Sequence, residues 1–185
     1  MNQVRINAGQ WRSRVIKFPD AEGLRPTPDR VRQTLFNWLG QELTGKHCLD
    51  LFAGTGALGF EALSRNAVSV TMLELARTSV QALLQNQRLL GATQARILQQ
   101  DALQFLAQNR QVFDVIFCDP PYHKGWLDTL LPQLATHLAT DGYVYVEAEY
   151  ALESDAHWQV IKSGKAGQVF YHLLQAVPHA RQETL

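Results

Sequence analysis

The chain has 185 residues, 46% of them hydrophobic and 18% charged, and its 17 Lys and Arg balance 17 Asp and Glu to a formal net charge of zero. That length suits one ordinary domain with room for a short appendage, and the composition argues against disorder. Zero net charge argues, at first sight, against a nucleic-acid partner.

The charges are not evenly spread. Residues 1–32 hold seven basic side chains (Arg5, Arg12, Arg14, Lys17, Arg25, Arg30, Arg32) against three acidic ones, a local excess of +4, while the remaining 153 residues carry the compensating −4. A basic cluster acts on phosphates over distances near a Debye length, so a basic head can grip nucleic acid whatever the total charge. The start of the chain has no apolar core of a signal peptide, and no run approaches the roughly 18 apolar residues of a membrane span. These features lead us to expect a cytoplasmic protein. Two cysteines, Cys48 and Cys118, lie in apolar runs and are expected to be buried, reduced thiols; no metal-ligand spacing is present.

In chain order, residues 4–8 and 14–18 read as a hairpin that Pro19 ends. Thr27-Pro28 reads as a cap followed by a first-turn proline, opening a helix whose apolar face is Val31, Leu35, Trp38 and Leu39 and which stops near Gly40. From residue 46 a strand–helix alternation begins. Strands are expected at 47–52, 68–73, 95–99, 112–118 and 143–148, with helices at 57–65, 77–90, 102–108 and 126–138 between them. This rhythm predicts an α/β fold of Rossmann-like, doubly wound type: a mostly parallel seven-stranded sheet covered on both faces. Segments 158–162 and 168–175 predict the antiparallel hairpin that completes it. We divide the chain into an N-terminal basic hairpin extension, 1–24, and a larger domain, 25–185.

Ligands of such sheets sit beyond the carboxyl ends of the strands. The first strand of the alternation runs into Asp50-Leu51-Phe52-Ala53-Gly54-Thr55-Gly56-Ala57-Leu58-Gly59, a G-x-G-x-x-G between strand and helix. The second ends in Glu74, 20 residues beyond Gly54 and suited to ribose hydroxyls. Together they indicate a nucleoside cofactor. A Walker phosphate loop is excluded because Phe60 and Glu61 follow Gly59. A pyrophosphate would meet the carboxylates of Asp50 and Glu61, whereas S-adenosylmethionine has no phosphate and carries two cationic groups. At the third strand end Asp101-Ala102 can serve adenine, cap the next helix, or do both.

The fourth strand runs directly into Asp119-Pro120-Pro121-Tyr122. Two prolines hold the backbone extended and remove its amide hydrogens, so the Asp119 carboxylate and the Pro120 carbonyl present fixed acceptors beside an aromatic ring. Such acceptors can hold a planar amine with its lone pair turned toward an electrophile while Tyr122 stacks on the ring.

In that order, Asp50 to Gly59, Glu74, Asp101 and Asp119-Pro120-Pro121-Tyr122 resemble the motifs of class I S-adenosylmethionine-dependent amino-methyltransferases. Within that class, the segments Gly9-x-x-Arg12-x-Arg14, Arg25-Pro26-Thr27-x-Asp29-Arg30-Val31-Arg32 and Leu35-Phe36-Asn37 resemble the RsmD-type ribosomal RNA methyltransferases. Gln33 stands where that pattern has an acidic residue. The resemblance implies direct methyl transfer to N2 of one guanine in 16S ribosomal RNA, on an assembled or assembling 30S subunit whose ribosomal proteins complete the recognition surface. It implies Asp119, Pro120 and Tyr122 at the reacting amine, with His123 or Trp126 as further stacking candidates. Asp50, Phe52, Gly54, Gly56, Glu74, Asp101 and Ala102 would hold S-adenosylmethionine. Arg5, Arg12, Arg14 and Lys17 would hold RNA phosphates, with Arg25 and Arg30 either on RNA or over the cofactor. The absence of a Pro-Cys dipeptide agrees with a route free of any covalent enzyme intermediate. DNA-adenine and protein-glutamine methyltransferases share the Pro-Pro-Tyr site and are the alternatives, with a dinucleotide oxidoreductase further off.

Overall fold

The computed structural model describes residues 1–178; the last residues of the larger expected domain, 179–185, lie outside the described residues. A two-stranded hairpin, β1 (Asn2–Arg5) and β2 (Val15–Phe18), precedes helix α1 (Asp29–Trp38). The alternation follows as β3 (His47–Asp50), α2 (Ala57–Ser64), β4 (Ser69–Glu74), α3 (Arg77–Leu90), β5 (Ala95–Gln99), α4 (Ala102–Gln108), β6 (Phe113–Cys118), α5 (Trp126–Leu134) and β7 (Leu138–Ala148). Strands β8 (Trp158–Ala166) and β9 (Val169–Ala176) close the chain.

Seven strands form one sheet in the order β5-β4-β3-β6-β7-β9-β8, and β1 pairs with β2 separately. The first five are parallel; β9 runs antiparallel between β7 and β8. Alternate residues of each strand supply two cores. On one face Cys48, Met72, Phe117 and Tyr145 pack with Phe36, Phe60 and Leu83 from α1, α2 and α3. On the other, Leu49, Leu73, Ile116 and Val146 pack with Phe105 and Leu130 from α4 and α5. Burial on both faces explains why the strands read as nearly unbroken apolar runs. Both cysteines are buried, and burial pushes both thiols up, which keeps them protonated. No helix among the described residues is long and apolar enough to cross a membrane.

Two expectations about α1 and α5 need correction. Pro28, not Thr27, occupies the cap position of α1, and no side chain caps that helix. Thr27 is instead buried and donates from Oγ1 to Glu147 Oε1 at 3.0 Å. A threonine whose hydroxyl finds a buried carboxylate has no call to turn toward the helix amides. At the other place, α5 stops at Leu134 and tightens into a 3-10 turn over Ala135–His137, so that Leu138 already opens β7.

The N-terminal hairpin is not a loose appendage. Ile6, Trp11 and Ile16 belong to the first core. Asn86 on α3 mimics a strand partner, accepting from Lys17 N at 3.1 Å and donating to Lys17 O at 2.8 Å. Gly9, at φ +86°, lies so close to Ser64 that a Cβ would stand 1.8 Å from the Ser64 carbonyl oxygen, and only glycine allows that approach.

Candidate active site

Chain reversal between the halves of the sheet puts β3 beside β6, with α2 leaving β3 toward one face and α5 following β6 on the other. Doubly wound sheets open their ligand crevice at this switch point. Asp50 and Asp119 mark the carboxyl ends of these two strands, Glu74 ends β4, and Asp101 follows β5.

Each carboxylate has a distinct setting. Asp50 is buried and its carboxyl is pushed up to about 7, first by burial and then by Glu74 and Glu147, against the opposing backbone N–H bonds of Phe52 and Gly59. Glu74 Oε2 accepts from Gly54 N at 2.9 Å, while Oε1 accepts from Leu75 N at 3.1 Å and Ala76 N at 3.0 Å. Of roughly four lone-pair positions on a carboxylate, that leaves one, on Oε2, for a hydroxyl. Asp101 caps α4 through Oδ1, which accepts from Leu103 N at 2.9 Å and Gln104 N at 3.1 Å, and Ala102 is buried behind it. Asp101 therefore performs the capping role, and its second oxygen stays out of those bonds.

Asp119 lies beside Glu147, because the β6–β7 register opposes Cys118 to Val146. The Asp119 carboxyl is raised well above the ordinary range, first by burial, then by the charge of Glu147 and a hydrogen bond to it, with Asp50 adding. Pro120 is buried, whereas Tyr122 is exposed and its phenol is pushed up to about 12, mainly by burial of the hydroxyl and then by Asp119, Glu147 and Glu149. Pro120, Tyr122, Trp126, Glu147 and Tyr150 line one recess. Its loop is pinned by Glu149, whose Oε1 accepts from His123 N at 2.6 Å and whose Oε2 meets His123 Nδ1 at 2.9 Å. Phe52 meets Trp126 edge-on with centroids 5.4 Å apart. The Trp126 indole N–H is buried and has no acceptor among the described residues.

These residues fit a cationic nucleoside cofactor. Four carboxylates converge on the strand ends, and none of the ion pairs formed among the described residues involves them. Gly54 adopts φ +54°, and the site where its Cβ would stand is bordered by the Leu24 side chain at 3.4 Å and the Phe52 carbonyl oxygen at 4.0 Å. Gly56 has a packing role besides: a Cβ there would sit 2.6 Å from Leu83 and 2.7 Å from Phe60, so its bareness also lets the helices close.

The expectation that Glu61 helps repel an anion at this mouth is overturned. Glu61 is fully buried on the far side of α2, where it accepts from Asn7 N at 2.9 Å and Ala8 N at 3.1 Å and pairs with Arg65 at 3.0 Å and Arg32 at 3.4 Å. Arg32, counted in the basic head, is likewise buried. It pairs with Asp29 and donates to Thr27 O at 3.0 Å and Arg5 O at 3.2 Å. Its charge is spent inside the fold.

The remaining basic residues divide by position. Arg25 is exposed on the segment between Leu24, which overlies Gly54, and Thr27, which bonds to Glu147, and Arg30 is exposed in the first turn of α1. Arg25 is thereby placed near the crevice. Arg14 donates to Leu89 O at 2.9 Å, at the carboxyl end of α3, and Arg12 is exposed on the same hairpin loop, beside Asn7 and Arg65. At about 1.5 Å rise per residue α3 separates this loop from Glu74 by roughly 20 Å. Arg5 donates to Ser13 O at 3.2 Å, and Lys17 is exposed on β2. The basic head thus spans one flank of the domain and does not cluster at Asp119.

Sequence reasoning missed Glu147 and Tyr145, and it read Thr27 as a helix cap where the structure bonds it to Glu147. One signal was present: Glu147 lies near the end of the fifth parallel strand, where ligands gather. Among the described residues no group of His, Cys, Asp and Glu could hold a metal ion.

A family model described as conserved hypothetical protein 95 matches residues 4–175. The chain is 44% identical over 180 residues to ribosomal RNA small subunit methyltransferase D of Escherichia coli strain K12, covering 94% of this chain and 90% of that protein. Its counterpart of the same name in Haemophilus influenzae is 43% identical over 181 residues, covering 94% of each. The solved structure of the Escherichia coli protein yhhF superposes with a TM-score of 0.86 at 44% identity, covering 95% of this chain and 98% of that one.

Proposed function

The chain belongs to the ribosomal RNA small subunit methyltransferase D family, and from this we propose that it transfers the methyl group of S-adenosylmethionine to the exocyclic N2 amine of a guanine in 16S ribosomal RNA, in the cytoplasm, on the assembled or assembling 30S subunit. The observation that carries the reading is the placement of Asp119 and Pro120 at the switch-point end of β6, beside carboxylates suited to a cationic cofactor.

When bound, S-adenosylmethionine supplies an electrophilic methyl group. Asp50, Phe52, Gly54, Gly56, Glu74, Asp101 and Ala102 form its seat, with Asp50 toward the cationic end, the spare Glu74 lone pair toward the ribose and Asp101-Ala102 toward adenine. A stacked guanine cannot reach this recess, so it is splayed from the RNA and held on Tyr122. Asp119 and the Pro120 carbonyl accept the two N2 hydrogens. This turns the lone pair toward the methyl group and makes positioning the main source of rate. Ribosomal proteins near the target complete the surface that grips the enzyme.

Labelled S-adenosylmethionine offered with small subunits, naked 16S RNA, DNA and total protein, followed by mass mapping, tests the assignment. N2-methylguanine in small-subunit RNA is the expected product; label in DNA adenine or protein glutamine would replace it with one of the alternatives.

Two further results are expected. Because the Asp50 carboxyl sits at about 7 in the free protein, a cation bound beside it favours the ionised form. Cofactor affinity therefore rises with pH, by up to about tenfold per unit below that value. The free protein shows the opposite sign: the folded state holds a proton that the unfolded chain releases near pH 4, so stability falls as pH rises toward 7. Calorimetric titration from pH 6 to 8 should show the gain in affinity, and Asp50→Asn should flatten it.

Arg12→Ala with Arg14→Ala should weaken RNA binding and lower the log–log salt slope by about 1.5, given roughly 0.7–0.9 per phosphate contact. Cofactor affinity should stay unchanged, since Arg14 lies at the far end of α3 and Arg12 beside Arg65 at the far end of α2. An unchanged slope would place the RNA elsewhere.

A further inference from the structure

Glu147 is buried at the end of β7, and its Oε1 accepts from the Tyr145 hydroxyl at 2.6 Å and from Thr27 Oγ1 at 3.0 Å. The β6–β7 register sets Glu147 directly opposite Asp119 on the neighbouring strand end, where the two carboxyls can hydrogen-bond to one another. Two carboxyl groups can form such a bond only by sharing a proton, since an ionised carboxylate has none to donate. With Oε1 engaged by two hydroxyls of different elements, Glu147 cannot swing to follow Asp119; Asp119 must turn toward Glu147.

We propose that Glu147 is a positioning residue for methyl transfer: it shares one proton with Asp119, and so holds one Asp119 oxygen inward and leaves the other facing the amine. This rests on the N2-amine reading above. Transfer breaks the methyl C–S bond, whose electron pair stays on sulfur, and makes the N–C bond from the N2 lone pair. The proton that nitrogen then sheds passes to the outward Asp119 oxygen. The pair goes from one proton to two and discharges the second to water at the recess mouth beside exposed Tyr122.

Other titratable groups surround the pair. Asp50 faces it from β3, Tyr122 and Glu149 from the mouth, and Tyr171 on β9 acts on Tyr145. The Tyr145 phenol is raised by burial and by Glu147, so it remains a donor throughout the working range. Asp50 is the neighbour whose own titration overlaps.

The pair should titrate in two steps. Below the first, both groups are protonated and the outward oxygen no longer accepts; above the second, the pair is doubly charged and the bond that orients Asp119 is lost. Wild-type kcat should therefore trace a bell. Glu147→Gln keeps the Oε1 acceptor for Thr27 and Tyr145 and offers Asp119 an N–H that never titrates. It should remove the alkaline limb and leave the acid limb near its place, because the doubly protonated pair carries no charge for the substitution to remove. Glu147→Leu should lower kcat about 30-fold with little change in KM for S-adenosylmethionine, and Glu147→Gln should recover most of that loss.

Carboxyl carbon-13 NMR of the free enzyme reads the pair without any reaction. Wild type should show the Asp119 carboxyl titrating above the ordinary range and coupled to its neighbour, and Asp50→Asn should leave that coupling in place. Glu147→Gln should leave Asp119 as a single step near that range. Independent, ordinary titrations in wild type would overturn the shared proton, and a Glu147→Gln enzyme with the wild-type bell would overturn the positioning role. A coupled pair in an enzyme that leaves 16S RNA unmodified would instead count against the substrate assignment.

Discussion

Asp119→Ala should leave S-adenosylmethionine bound with near-normal affinity and lower methyl transfer by at least about 10²–10³-fold, the scale on which removal of one preorganised electrostatic partner acts. The expectation follows from position. Asp119 lies at the end of β6, next to the Pro120 carbonyl and away from the Gly54–Glu74 pairing that shapes the glycine loop. The same change removes a carboxyl that is forced up by burial and by Glu147. Alanine should therefore raise, or leave unaltered, the melting temperature of the free enzyme, because the site holds like groups together at a cost in stability. Cofactor titration, single-turnover transfer and thermal melting on one preparation check all three. Lost cofactor binding together with lost transfer would assign Asp119 to the cofactor seat.

Glu61→Ala should have the largest effect on folding, a loss of about 3–5 kcal/mol, as expected when one partner of a buried ion pair is deleted. Glu61 is the common acceptor for Arg32, Arg65 and the Asn7 and Ala8 amides. Its removal leaves two buried guanidinium groups and two amides to find other partners. The loss should centre on the N-terminal hairpin, which this carboxylate ties to α2, so the segment between β2 and α1 should become cleavable by protease before the sheet unfolds. Glu61→Gln, which still offers an acceptor oxygen, should cost less. Urea denaturation gives the magnitude and limited proteolysis the order of events; a loss under about 1 kcal/mol would show the network to be dispensable.

Both expectations bear on how function is distributed along the chain. Segment by segment, the net charge of zero resolved into a basic head and an acidic body. The structure alters that division: Arg32 is inside, balanced by Glu61 and Asp29, while Arg14 lies at the far end of α3 and Arg12 beside Arg65 at the far end of α2. If the proposed function holds, RNA on this head that reacts at Asp119 would have to cover the flank of the domain, as a structured RNA can and a single nucleotide cannot.

Much of the fold was legible because it rests on local rules. Helices α3 and α4 and strand β5 begin and end where periodicity and breakers placed them, at 77–90, 102–108 and 95–99. The glycine loop, Glu74, Asp101 and Asp119 were legible for a related reason, since a doubly wound sheet delivers strand-end residues to one edge whatever their separation in sequence. The Thr27 cap failed where a local rule met a distant competitor: a buried carboxylate 120 residues away outbid the helix amides for its hydroxyl.

The sequence by itself therefore determined the alternation of elements, the seven-stranded sheet and the chemical character of its carboxyl edge. Hydrogen bonding within helices and burial on two faces impose periods that any sequence adopting them must show. The tertiary structure alone decided which carboxylates would be neighbours. Asp119 and Glu147 are 28 positions apart and meet through the β6–β7 register; Glu61 is polar in an apolar helix, and it meets Arg32 of α1 and the Asn7 and Ala8 amides of the hairpin. Such pairings depend on which backbones the packed sheet and helices bring within hydrogen-bond reach, and no local pattern encodes that distance.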